Sequence, residues 1–369
     1  MSVVSLINSG HWVFAGVDGR YSIALCEVVK SRMEAPAVQL CGPFHDRAHF
    51  LAARDHAGEV TVSLLRAGSP GGAFPHLPDG MSAEVFARLR EAPRLDSPDQ
   101  PWIFRPVAEF HATNDRPIFD AGEGKGRWPV YGGSSFNIWT PETGEVYAWA
   151  NPKAVTSALQ EKRRRQIGLR SSAFYGLSER WAADVKTLPC FAPRIAFRDV
   201  TNATNTRTCI TGLIPPQCVV VNQAPYLLRV RGDEQDEAFL LGVLSSIPLD
   251  WYARRYVELH LNFHIFNGLP VPAVSVDDLR RRRLIHLAGR LAAADNRFEQ
   301  WATAVGVPVA TAGSSSQRAD MEAEIDALVA HLYGLERHHV EHIFSTFHRG
   351  WDYKPRLEAV LHHFDGLES

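Results

Sequence analysis

Three strings in this sequence bring chemically capable side chains to a useful spacing. In the first, His338-His339-Val340-Glu341-His342, the residues His338, Glu341 and His342 follow the H-x-x-E-H pattern. On a helix that pattern sets two imidazoles one turn apart with a carboxylate beside them, as zinc-dependent hydrolysis needs, and Glu358 is a formal candidate for a further ligand. The competing reading is the polar face of a surface helix whose apolar face is Val340, Ile343 and Phe347. The second string, GEGKG at 122–126, has the glycines of a nucleotide or S-adenosylmethionine loop. Such a loop must follow a buried strand and open a helix; here Pro117-Ile118-Phe119 precedes and Trp128-Pro129 follows, so a plain glycine turn is expected. The third string, PRIAFRDVTNATNTRTCITGLIPP at 193–216, gathers Arg194, Arg198, Asn202, Asn205, Arg207 and Thr208 around short extended runs. Guanidinium forks and side-chain amides bind phosphates and read purine edges. Four residues apart in a strand, Arg194 and Arg198 share one face, with Ile195 and Phe197 opposite them in the core. The competing reading is an internal arginine network through Asp199.

The charge distribution favours a polyanionic partner. Residues 1–151 carry a balance of −4 and residues 209–369 a balance of −5, whereas 152–208 hold 11 Lys/Arg against 4 Asp/Glu, a balance of +7. Lys153, Lys162, Arg163, Arg164, Arg165 and Arg170 lie in this basic island, and such cations displace condensed counterions from nucleic acid. A solvated helix face is the alternative. The pattern G-x-x-x-x-G-K-[ST] does not occur, nor does G-x-S-x-G, so nucleophilic catalysis has no support. Five scattered cysteines without a C-x-x-C pair point to free thiols in a reducing cytosol. The apolar runs are too short to span a bilayer and the first residues lack a secretory pattern, so a soluble, cytoplasmic chain is expected.

These side chains need elements to hold them. The runs HWVFAGV and RYSIALCEVV, joined at Asp18-Gly19, predict a hairpin. They are followed by a short helix over 45–54, a strand over 60–65, a loop over 69–80 and a helix capped by Ser82 that stops before Pro93. Residues 117–152 read as irregular strands and turns carrying aromatics. A basic helix follows over 155–166, then extended runs over 194–200, 208–213 and 226–231, and helices over 239–246 and 251–257. Leu284, Leu287, Leu291, Phe298, Trp301 and Val305 predict one long amphipathic helix, broken from the next by GSSSQ, and further helices follow around 321–332, 340–347 and 357–364. The fold class is α+β, in three units: 1–110, a small α/β piece; 111–275, a mixed α/β domain; and 276–369, a helical unit.

The third string, followed by LLGVLSSIPLDWYARRYVELHLNFHIFNGLPVP at 240–272, resembles the C-terminal region of the large adenine-specific DNA methylases of type IIG restriction–modification systems; the phage-defence methylases of the BREX and DISARM kinds are similar. An arginine-rich FR…T-N-x-R-T stretch, an L-S-S…D helix, an H-L-N-F string and an L-P-V-P stop recur there in this order, in the domain that grips duplex DNA. The resemblance is strong over 115–272. WVFAGVDGRYSIAL with GPF looks like the last hairpin of the family's catalytic domain, and DALVAHLYGL at 326–335 like its helical end. It implies that 1–110 is a terminal part of a methyltransferase core and 111–275 a target-recognition domain, and it adds His260 and Asn262 of the H-L-N-F string to the DNA-facing candidates. The family's cofactor loop and its Asn/Asp-Pro-Pro-aromatic motif, which holds a flipped adenine, have no match here. Asn151-Pro152-Lys153-Ala154 lacks the second proline and the aromatic. The resemblance therefore implies a DNA-recognition half with no catalytic residue and no cofactor of its own. A separate catalytic chain, which binds S-adenosylmethionine, would cover the exposed edge of the first unit's sheet.

Overall fold

The computed structural model describes residues 1–19, 21–30, 36–68, 73–120, 122–348 and 350–367. Arg20 of the expected hairpin and residues 69–72 of the expected loop lie outside them. The first unit comprises β1 (Ser2–Ile7), β2 (Ser22–Glu27), β3 (Ala37–Phe44), α1 (Arg47–Ala53), β4 (Gly58–Thr61), α2 (Val62–Gly68) and α3 (Gly80–Arg90). Its sheet runs β2-β1-β3-β4, with β1 antiparallel to β2 and parallel to β3. The hairpin is real, but its first strand is Ser2–Ile7 and not HWVFAGV. The buried side chain of Asn8 diverts that run: Nδ2 donates to the Phe14 and Val17 carbonyls, and Oδ1 accepts from the Val13 and Phe14 N–H groups, forming a compact loop. The strand expected over 60–65 turns helical at Val62, and α3 is capped by Asp79, whose carboxylate accepts from Ser82 N at 2.7 Å.

The second unit holds β5 (Ile103–Val107), β6 (Phe119–Asp120), β7 (Trp128–Tyr131), β8 (Ala148–Ala150), α4 (Pro152–Gln166), α5 (Glu179–Ala183), β9 (Arg194–Phe197), β10 (Thr211–Ile214), β11 (Val219–Val220), β12 (Tyr226–Arg231), α6 (Glu234–Leu244), α7 (Ile247–Ala253) and α8 (Phe263–Asn267). It forms two sheets, β10-β9-β12-β5 and β11-β7-β8-β6. Because β5 pairs along β12, the first of these sheets crosses the boundary expected at residue 110.

The last unit is helical: α9 (Leu279–Ala292), α10 (Glu299–Val305), α11 (Ser315–Leu332), α12 (Arg337–Ser345) and α13 (Lys354–Leu367). The single helix expected over 284–305 is broken in two where Asp295 leaves helical geometry and its side chain accepts from Arg297 N. One continuous apolar core runs through all three units, from Val3 and Leu40 through Phe239 and Trp251 to Leu284, Ile343 and Phe364. None of the described helices is long and apolar enough to cross a membrane.

Candidate nucleic-acid interface

The arginine-rich string divides into residues that build the fold and residues that reach its surface. All four residues of β9 are buried. Arg194 is 3% exposed; its Nη2 lies 3.1 Å from Glu109 and donates to the Cys218 carbonyl, while its guanidinium sits over the Tyr226 ring. Burial pushes the Glu109 carboxyl up, against the pull of Arg194. The expected exposure of Arg194 opposite Ile195 therefore fails, because a second sheet and the 189–191 turn cover that face.

Arg207 and Thr208 are also internal. Asp250 of α7, fully buried, accepts Arg207 Nε at 2.6 Å and the Thr208 and Cys209 backbone N–H groups, each at 3.1 Å. Arg207 Nη2 donates to the Ser245 carbonyl, and Thr208 Oγ1 to the Asn202 carbonyl. Arg254, one turn beyond Asp250, donates to the Ala203, Asn205 and Thr206 carbonyls and lies over the Phe347 ring at 4.1 Å. Asn205 uses its Nδ2 on Thr201 Oγ1. The T-N-x-R-T and L-S-S…D strings thus bind each other, and Arg207 and Thr208 are scaffold.

Helix α4 divides in the same way. Asn151 caps it, with Oδ1 accepting from Lys153 N and Ala154 N, and Pro152 takes the first turn. Lys162 donates to the Ala108 and Glu109 carbonyls, at 3.2 and 2.6 Å. Arg163, 1% exposed, donates to Thr187 Oγ1 and the Ala182 and Asp184 carbonyls and stacks 4.3 Å from the Trp181 ring centre. These two cations, expected on the DNA face, pin α4 to its neighbours. Lys153, Arg164, Arg165 and Arg170 are exposed, Arg165 being 3.8 Å from the equally exposed Glu161.

The surface that remains is built around Arg198 and His260. Leaving β9, Arg198 is half-buried and its Nη2 donates to the Phe136 carbonyl. Residues 199–201 and 259–261 form a short ladder, with Leu261 N on the Asp199 carbonyl, Thr201 N on the Leu259 carbonyl and a Val200–His260 bridge. His260 Nδ1 meets Asp199 Oδ2 at 2.9 Å with the ring exposed; Asn262 is exposed, its Oδ1 accepting from Ile265 N as the cap of α8. Asp199 N donates to the Gln223 carbonyl, which brings the 222–224 turn alongside. Gly133 lies against Arg198 and the Gln223 backbone, and a Cβ added at Gly132 would stand 3.6 Å from both Gln223 Oε1 and Tyr147 Cβ. Tyr147 is held in place by its hydroxyl, which donates to the Ala112 carbonyl, and Arg116 lies 5.5 Å over its ring. The outcome is a polar, aromatic-edged face of Arg116, Tyr147, Gln223, Arg198 and His260 beside a Gly132-Gly133 floor. Sequence reasoning missed Arg116, Tyr147 and Gln223. Their signal was the YGGSS and VNQAP strings, whose small residues permit close approach without naming what approaches.

The GEGKG string forms the plain turn expected of it, and the side chains of the HHVEH string take separate partners. GEGKG turns from β6 to β7, with Arg127 N on the Gly124 carbonyl, and opens no helix. On α12, Glu341 pairs with Arg337, while His342 shares a hydrogen bond with Ser82 at 2.9 Å and faces Asp79 at 3.6 Å. His338, Glu341 and His342 therefore do not converge on a metal. Among the described residues, the ligand atoms that do approach one another belong to Glu84, His338 and His339. There His339 Nδ1 accepts from Glu336 N, so Nε2 carries the proton it shares with Glu84 at 3.1 Å and offers a metal no lone pair. GEGKG is a surface turn, and the Asn151 side chain caps α4.

Among solved structures the chain is similar to a restriction–modification enzyme of type IIL in complex with DNA. That enzyme is MmeI; the TM-score is 0.39 at 11% identity, over 86% of this chain and 41% of that one. This chain thus spans less than half of that enzyme's length. No family model and no curated protein matches.

Proposed function

We propose that this chain is the DNA-recognition part of an N6-adenine DNA methyltransferase in a restriction–modification or phage-defence system. The observation that carries the reading is the face of Arg116, Tyr147, Gln223, Arg198 and His260. It offers cations for phosphate, an amide for base edges and a fixed aromatic ring, and exposed Lys153, Arg164, Arg165 and Arg170 add charge in the same unit. The cofactor loop and catalytic motif come from a partner polypeptide. The outer edge of β2 supports such a partner: among the described residues β2 pairs only with β1, and Leu25 within it and Val28 and Val29 just past its end are at least half exposed.

The test is duplex binding by the purified chain at two salt concentrations, with and without a polypeptide that carries the S-adenosylmethionine loop. Salt-sensitive binding that becomes sequence-selective, with adenine methylation only in the mixture, is the expected result. Absence of duplex retardation at low salt would refute the DNA assignment and leave a scaffold.

A further inference from the structure

We propose that Gln223 reads the major-groove edge of an adenine, with the Tyr147 ring as the fixed wall beside it; this rests on the DNA-recognition reading above. The argument starts from the backbone. Gln223 sits in a turn secured on three sides: its carbonyl accepts from Asp199 N at 3.1 Å, the neighbouring Asn222 side chain accepts from Ala112 N at 2.9 Å, and Ala224 N donates to the Val221 carbonyl. Among the described residues no hydrogen bond engages the Gln223 side-chain amide, and its half-buried position leaves that amide open to solvent. The amide is therefore held at a defined place by a rigid backbone and left open to a ligand.

Its surroundings select the ligand. An amide presents one acceptor and two donors, the pattern that pairs with adenine N6–H₂ and N7 together. Tyr147 cannot swing into that space, because its hydroxyl is tied to the Ala112 carbonyl, Phe119 meets the ring edge-on at 6.4 Å and the Arg116 guanidinium lies over the ring. Gly133 keeps a side chain away from the strip between Gln223 and Arg198, where an added Cβ would stand 3.4 Å from the Gln223 carbonyl and 3.9 Å from Arg198 Cγ. In this proposal a base edge meets the amide from the solvent side, and Arg198 and Arg116 meet the flanking phosphates.

The experiment selects preferred duplexes from a randomised pool with the full chain and with Gln223→Ala and Gln223→Glu. The parent is expected to select an adenine at one position. Gln223→Ala should lose the preference at that position alone, with the unfolding midpoint unchanged. Gln223→Glu, which can only accept, should shift the position toward cytosine. Replacing the selected adenine by 7-deazaadenine, which lacks the N7 acceptor, should weaken the parent about tenfold and leave Gln223→Ala unaffected. A parent that binds duplex without an adenine preference, or a Gln223→Ala variant that keeps the preference or loses affinity evenly across sequences, overturns the assignment of Gln223 alone. A parent that binds no duplex overturns the DNA reading with it.

Discussion

Removing the Asp250 carboxylate should unfasten the centre of the second unit. The group is fully buried and serves Arg207 Nε, Thr208 N and Cys209 N, with Arg254 Nε 3.5 Å away. Breaking a buried ion pair by removing one partner costs about 3–5 kcal/mol, and a buried N–H left without an acceptor about 1–3 kcal/mol. These terms share one carboxylate, so they do not simply add. Asp250→Ala, which removes the charge and both acceptors, should lose about 5 kcal/mol or more, and Asp250→Asn, which keeps the volume and one acceptor, about 3 kcal/mol. Against a total stability of about 5–15 kcal/mol, the alanine variant should be partly unfolded at 25 °C. Urea unfolding followed by tryptophan fluorescence gives the energies, and hydrogen exchange at the Thr208 and Cys209 amides gives the location. If Asp250→Asn unfolds within about 1 kcal/mol of the parent and both amides stay protected, the carboxylate does not hold these strings together.

Arg164→Ala with Arg165→Ala should reduce the salt slope of duplex binding by up to about 1.8, whereas Arg163→Ala should leave the slope alone and lower the unfolding midpoint; a slope change with Arg163→Ala would contradict its burial. Glu237 is buried and accepts from Trp301 Nε1 at 2.8 Å, and burial pushes its carboxyl from 4.5 up to about 7. The folded state then holds the proton more tightly than the unfolded chain, so this group's contribution to stability is full below about pH 4.5 and is lost as pH rises to about 7. Glu237→Gln should remove that slope and raise stability near pH 8 by on the order of 3 kcal/mol; an equal effect at pH 5 and pH 8 by denaturant titration would refute this. Chelation by EDTA should leave the melting temperature unchanged, since the His339 lone pair is already taken by Glu336 N; a fall of several degrees would show that α12 holds a structural metal.

Element types were legible where periodicity was strong. The pattern over 155–166 marks α4, though not the Asn151-Pro152 start that caps it, and the leucine spacing over 284–305 marks helix, though not the break that Asp295 makes within it. The Asn8 knot was not legible, because HWVFAGV has strand composition and only a buried asparagine eleven residues before Gly19 turns it into a loop. At the site, composition located the right segment but could not sort its arginines. Arg194, Arg198 and Arg207 are alike in sequence; Glu109 and Asp250, 85 and 43 residues from their partners, decide which two are internal. Gln223 carries no sequence signal, because an isolated glutamine forms no pattern, and its placement arises from contacts with Asp199, Ala112 and Gly132, which are distant in the chain.

The division of labour around Asp250 bears on how such a protein could change what it recognises. Carbonyl contacts made by Arg194, Arg207 and Arg254 fix the backbone at Cys218, Ser245 and residues 203–206, which lies close in sequence to 198–200 and 222–224, while no hydrogen bond among the described residues ties the Gln223 side chain to it. A substitution at 223 therefore alters the reading surface at small cost in folding free energy, and selectivity can drift while the framework stays the same. For redesign, the exposed turns are the variable cassette and the buried arginines are the positions to leave untouched.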